Sequence, residues 1–310
     1  MNTHNVLTRD VNGYADGLRL NSVLGDILAP MGTRYFVEGN AGNDSNDGLS
    51  WGSAFKTAMV AFAASNTNIA ASSSGWAARN QIFIRSDNNE ASKETLITLP
   101  NKCDVIGVGS YDHKPFPEFI GNHVIGAGAY MGTRFFNVGF RSLAAGGAVM
   151  TVPTTTSGLA FIGCNIDGNS TTPATKGIAA TAVEMLKIID CNFRGLFSSS
   201  TIDLGAGSMK GLEIAGNFIE SGAKGINVSS SLTCTGNIGK VLRNMFAVTG
   251  FIMDDDSDKL MFSGNRGFTK TDGKLASCLD YNANLASDNY FSCSGGTMSP
   301  YPVVTAAIPS

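Results

Sequence analysis

Short apolar runs, separated by Gly, Asn, Ser and Thr, recur along the C-terminal two thirds of the chain at a nearly constant spacing. LKIIDCNFRG at Leu186–Gly195 has degenerate copies in LAFIGCNIDG from Leu159, LEIAGNFIES from Leu212, GKVLRNMFAV from Gly239, KLMFSGNRGF from Lys259 and NLASDNYFSC from Asn284, with an earlier one in RFFNVGF from Arg134. One asparagine marks each copy: Asn137, Asn165, Asn192, Asn217, Asn244, Asn265 and Asn289, at gaps of 28, 27, 25, 27, 21 and 24 residues. A repeat of this length is the signature of a solenoid. A second series of runs, at Gly177, Ser200, Lys224, Gly250 and Cys278, falls between the asparagine copies at nearly the same spacing, so each period holds two strand-like segments. Six gaps and the entry coils make about eight coils, a column about 40 Å tall at ~4.8 Å per strand.

Alternate strand residues face opposite sides, which sorts each copy into inward and outward positions. Three places before the asparagine stand Ile162, Ile189, Ile214, Val241 and Phe262; one place after it stand Val138, Ile166, Phe193, Phe218, Met245 and Tyr290. These two columns are the expected core ladders. The asparagine itself is expected to take a left-handed backbone conformation at a sharp corner and to stack its amide on the next coil, a structural rather than catalytic role.

The period, the asparagine corner and the short strands resemble the right-handed parallel β-helix of pectate-lyase-like proteins and of bacteriophage tailspikes and surface proteins. Tyr35 to Phe62, YFVEGNAGNDSNDGLSWGSAFKTAMVAF, is similar to the entry module of such proteins, where a strand, a Gly/Asn/Asp loop, a Trp and an Ala-rich helix close the first coil. The resemblance covers roughly Tyr35 to Cys293 and implies fold far more specifically than activity. The fold class is therefore read as all-β, a right-handed parallel β-helix with a short N-terminal capping helix and an N-terminal arm. Its divisions are an arm at 1–32, a possible particle anchor, an entry module at 33–80, the β-helix at 81–293 and a C-terminal tail at 294–310.

Composition narrows the function. The 310 residues are 43% hydrophobic but only 15% charged, with 37 glycines and a net charge of -3. That suits a β-rich solenoid with many corners and leaves no basic surface for a phosphate backbone, so no nucleic acid is expected. No apolar run nears the ~20 residues needed to cross a bilayer, and the first residues lack a secretion signal, so membrane insertion is not expected. Cys164 and Cys191 hold equivalent places in adjacent coils and read as small buried hydrophobes. With three histidines and no C-x-x-C pair, neither a metal nor a cofactor is expected. In GNDSNDG at Gly42–Gly48 a calcium-loop register puts Ala54 where the closing glutamate belongs, so Asp44 and Asp47 are read as turn residues. Ser53 is read as the cap of the following helix, which plugs the open end of the coil.

Hydrolysis of a polysaccharide needs two carboxylates, either about 5 Å or ~6.5 to 9.5 Å apart. Counted from the markers, Asp190 and Glu213 share an outward face as diagonal neighbours, roughly 7 to 8 Å apart. Lys240 is expected one coil above Glu213, where it would hold that carboxylate ionised and make it a poor acid. Asp203, Asn227, Ile252 and Asp280 are expected on a second outward face, and Asp254 to Asp258 as a solvated acidic corner. The arginines Arg134, Arg194, Arg243 and Arg266 stand at different places relative to the marker, so the lyase arrangement of an arginine facing clustered acids is not expected.

The resemblance and the absent dyad together point to a non-enzymatic virion structural protein of a bacteriophage. It is expected to be an exposed β-helix acting as capsid decoration or as a fibre or spike component, contacting host-surface glycans or stabilising the particle. A parallel homotrimer is expected, folded in the host cytoplasm and docked to other virion proteins through residues 1–32, the tail, or both. The alternative is a tailspike-type polysaccharide-degrading enzyme, with Asp190 and Glu213 as its weak candidate pair.

Overall fold

The computed structural model describes residues 32–72, 78–85, 94–109, 117–143, 145–169, 171–220, 222–234, 239–255, 260–269, 285–287, 289–293 and 299–300. Short strands stack in three long sheets, called here A, B and C, of ten, nine and six strands, with one further two-stranded sheet. A typical coil runs through Lys187–Ile189 in A, Asn192–Arg194 in B and Phe197–Leu204 in C, and re-enters A at Glu213–Ala215. Each strand pairs in parallel with its counterparts in the coils below and above, as in Lys187↔Ala160 and Lys187↔Glu213. Among the described residues the one antiparallel pair is Tyr290–Cys293 with Ser299–Pro300, at the far end of sheet B. The chain is a parallel β-solenoid, as its periodicity requires.

Six coils, from Cys103–Val108 to Phe251–Asp255, carry all three strands. The expectation of eight differs because the sheets are unequal. Arg34–Val37 and Asn80–Arg85 add two rungs to sheet A alone, and among the described residues the last two rungs of A and B have no partner strand in C. Of the expected arm and tail, only Gly32 and Ser299–Pro300 lie within the described residues.

The entry module forms as its sequence suggests, with one change of detail. Helix α1, Ala58–Ala71, starts after Thr57 rather than at Ser53, and Ser53 ends a 3-10 turn whose cap is Ser50. Asp44 caps the helix start, accepting from the backbone N–H groups of Lys56 and Thr57 at 2.9 and 2.8 Å. Glu94 accepts from the next two, Ala58 and Met59, at 2.9 and 3.0 Å. Two carboxylates at a helix N-terminus satisfy its orphan donors and oppose its dipole. Burial is the main reason the Glu94 carboxyl sits above its usual range. Asp47 holds the preceding turn by accepting from Leu49 N–H and the Ser53 hydroxyl. The helix buries Ala58, Ala61 and Phe62, and the Phe62 ring centroid lies 6.4 Å from that of Phe119 in the first complete coil.

The asparagine markers occupy three structural columns, not one. Asn137 is the corner residue itself, with φ 54, and is followed in that column by Gly163, Asp190, Gly216, Arg243 and Gly264, all left-handed. Asn165 and Asn192 instead open strands of sheet B, where Asn192 pairs with Phe218. Asn217, Asn244 and Asn265 stand one place earlier, between the corner and the strand, in the column begun by Val138, Cys164 and Cys191, and are at most 1% exposed. Between Asn192 and Asn217 the marker therefore slips by one residue, and a one-residue slip exchanges the two faces. Ile162 and Ile189 are accordingly half-buried, with Phe161 and Ile188 in the core, while Phe218 and Met245 are exposed, with Ile219 and Phe246 in the core.

The inward column is the continuous polar element of the core. The Asn217 Oδ1 accepts from Cys191 N–H, the Asn244 Oδ1 from Asn217 N–H, the Asn265 Oδ1 from Asn244 N–H and the Asn289 Oδ1 from Asn265 N–H, each at 2.8 to 2.9 Å. Each amide nitrogen donates back one coil, to the carbonyls of Ile188, Ile214, Val241 and Phe262 in sheet A. In the earlier coils a thiol replaces the amide: the Cys164 Sγ donates to Phe135 O and the Cys191 Sγ to Phe161 O, at 3.5 and 3.4 Å.

Replacing one rung of this ladder leaves buried donors and acceptors without partners on both sides. Asn244→Ala is expected to cost about 3 kcal/mol, and Asn192→Ala, at an exposed marker of identical appearance in the sequence, less than about 0.5 kcal/mol. Urea unfolding midpoints at unchanged m-value measure both, and equal losses would deny the ladder its role.

Candidate functional site

Glu213 opens its strand on the outer face of sheet A, opposite Lys187 below and Lys240 above. The expected place of Lys240 is correct, although the closer cation is Lys187, whose Nζ lies 3.2 Å from Glu213 Oε2. Asp190 sits at the sheet A–sheet B corner, level with Gly216 and not with Glu213. Its backbone N–H donates to Ala215 O at 2.9 Å, and a Cβ added at Gly216 would overlap its carboxylate. The one-residue slip and the strand length separate the two acids by three residues along the sheet, about 10 Å at ~3.3 Å per residue. The diagonal pairing expected of Asp190 and Glu213 is not formed.

The second outward ladder is present with one exchange. Asp203 pairs with Asn227 as expected, but the next residue in register is Asp254, while Ile252 is fully buried. Asp280 and residues 256–258 lie outside the described residues. The Asp203 carboxylate is bound from three sides: by Lys176 Nζ at 2.6 Å, Asn227 Nδ2 at 2.7 Å and the Ser200 hydroxyl at 3.5 Å. Lys224 Nζ in turn donates to Asn227 Oδ1 at 2.8 Å. This chain of bonds spans three coils and leaves the Asp203 carboxylate fixed between its neighbours. Among the described residues no three His, Cys, Asp or Glu side chains converge on one point.

A concave feature lies at the corner where Asp190 stands. A surface groove of about 390 Å³ is lined by Phe136 and Ile162 of sheet A, by Asn137, Gly163 and Asp190 of the corner, and by Asn165, Asn192 and Arg194 of sheet B, with Cys164 beneath. Its cause is the corner column. Asn137, Gly163 and Asp190 follow one another on successive coils, and at Gly163 a Cβ would meet nothing within 4 Å. A missing side chain between two present ones, about 10 Å apart over two rungs, makes the notch. Asn137 Nδ2 donates to Gly107 O at 3.0 Å, which turns its carbonyl oxygen the other way. Arg194 Nε lies 3.4 Å from Asp167 Oδ2, and Nε and Nη2 both stand 3.2 Å from the Asn165 side-chain amide, which accepts from them when its oxygen is turned toward the guanidinium. The half-buried Phe136 and Ile162 are in register on adjacent rungs of sheet A.

Counting from the asparagines hid this groove, because the column that shapes it is read from the glycines of IGCN, AGN and SGN that precede them. No family model, curated protein or solved structure matches the chain.

One buried titratable group stands apart from both surfaces. His123 is fully buried between the rings of Phe119 and Phe140, with Nδ1 accepting from Leu96 N–H at 2.9 Å. Burial pushes its pKa down to about 4. The unfolded chain takes up this proton below about pH 6.5 and the folded chain refuses it, so stability falls from there to about pH 4 and then levels, by roughly 3 kcal/mol in all. The difference in unfolding free energy between the native protein and His123→Asn is expected to shrink by that amount over this range; a pH-independent difference would remove His123 as the cause.

Proposed function

We propose that this chain is a bacteriophage virion structural protein, an exposed β-helix that serves as capsid decoration or as a fibre or spike component. In this reading it assembles as a parallel homotrimer, docks on other virion proteins through residues 1–32 or the tail, and presents its outer faces to host-surface glycans. The observation that carries the reading is an apolar stripe on the outer face of sheet B. Phe218 and Met245 are in register on adjacent coils, 39% and 52% exposed; on the next coil Arg266 takes the place level with Met245, and Phe268, level with Ala247 two places along the same face, is 45% exposed. Clustered apolar side chains on one sheet face are a liability for a monomer and an asset for an assembling subunit.

Charge supports the same reading. Glu38, Asp104, Glu118, Asp167, Glu184, Asp203 and Glu213 each lie within 3.4 Å of a Lys or Arg on a neighbouring rung. Carboxylates paired in this way stitch successive coils together and have their oxygens occupied by a neighbouring rung.

Light scattering of the purified protein is expected to give a mass of about 97 kDa, three chains of 32.3 kDa. The double variant Phe218→Lys with Met245→Lys is expected to reduce it to one chain with the fold intact by circular dichroism. A monomeric native protein would overturn the trimer. Reducing ends released from a polysaccharide by the native protein, and lost in Asp190→Asn, would replace the reading with that of a depolymerase.

A further inference from the structure

We propose that the notch at the sheet A–sheet B corner binds a single pyranose ring of a glycan, which gives the surface role proposed above a defined site and rests on that reading. A pyranose carries apolar C–H groups on its faces and hydroxyls, each both donor and acceptor, around its rim. The groove has the same division. Phe136 and Ile162 supply an apolar wall on two rungs of sheet A, the corner supplies the Asp190 carboxylate, and sheet B supplies the exposed Asn192 amide and the Arg194 guanidinium. Asn137 adds a carbonyl oxygen oriented by its bond to Gly107. Acceptors, donors and a mixed amide therefore lie within one opening, which is what a rim of hydroxyls requires and what a purely apolar ligand does not.

Other classes of ligand fit less well. An anion would meet Arg194 already flanked by Asp167, with the Asp190 carboxylate lining the same groove. An extended peptide would need free backbone edges. Here the N–H groups of Asn137, Gly163 and Asp190 already donate to Ile162, Ile189 and Ala215 of the next coil. The volume of about 390 Å³ lies at the small end of ligand sites, which matches one ring rather than a chain of them.

Gly163 gives the test its specificity. Its φ of 61 lies in the region that asparagine tolerates, so Gly163→Asn places an amide in the empty space without straining the corner. The probes are methyl glycosides of glucose, galactose, mannose and N-acetylglucosamine, titrated at millimolar concentration into the full chain and followed by saturation-transfer NMR. At least one is expected to bind, with affinity lowered about tenfold in Asn192→Ala, abolished in Gly163→Asn and unchanged in Asn227→Ala on sheet C. Thermal midpoints within a few degrees of the native protein establish that each variant is folded. If no glycoside binds, or if binding survives Gly163→Asn, the assignment is overturned. The mass measurement fails or succeeds separately: a monomer that binds the sugar sinks the trimer alone, and a trimer that binds none sinks the groove alone.

Discussion

A parallel solenoid has to bend its backbone inward at every corner, and each bend exposes polar groups to an apolar core. The inward column at the sheet A–sheet B corner is the answer this chain uses. Each side-chain amide accepts from the coil before it and donates to that coil's sheet A carbonyl, so the cost of burying an amide is offset by closing bonds that the corner would otherwise leave open. The alternation of Phe161, Ile188, Ile214 and Val241 inward from sheet A depends on that corner being held at a fixed angle. So does the register of sheet B, and with it everything displayed on the outer surface.

How much of this was legible in the residues differs by level. The fold was: a period of 21 to 28 residues with short apolar strands allows few arrangements other than stacked coils. The entry helix and the role of Asp47 as a turn residue were also readable, because they depend on local bonding, whereas Asp44 reaches past its own turn to cap the helix start. The facing of individual strands was readable only in part. An asparagine in the left-handed column, one opening a strand and one in the inward ladder look alike in sequence, and only strand pairing separates them. Phe218 was therefore read as core when it is exposed, and Asp190 was paired with an acid on a different column. Ile252 took the place of Asp254 for the same reason. Long-range register is decided by which rung bonds which, and a period-two pattern carries no mark of a one-residue slip.

The outer surface separates into regions of different chemistry. Sheet A carries ion pairs between successive rungs beside the half-buried Phe136 and Ile162, and sheet C carries the Lys176–Asp203 pair. Sheet B begins in the same way, with Asp167 and Arg194, and then turns apolar at Phe218. That change coincides with the slip in the ladder, where the column opening sheet B passes from asparagine to Phe218 and Met245. The groove lies just on the polar side of this boundary and the stripe on the apolar side, so one change in the corner sets the limits of both.

The inward ladder also constrains how such a chain lengthens in evolution. From Asn217 to Asn289 each coil presents the same acceptor to the coil below and the same donor pattern to the coil above. A duplicated coil inserted within this block inherits every partner it needs, whereas half a coil would orphan an amide. The junction at Cys191 is one-sided: its N–H meets an asparagine acceptor, but its side chain offers none to the coil before it. Growth by whole repeats is thus open within the asparagine block, which lies beyond the groove, and a coil added there leaves the distance between the groove and the cap unchanged.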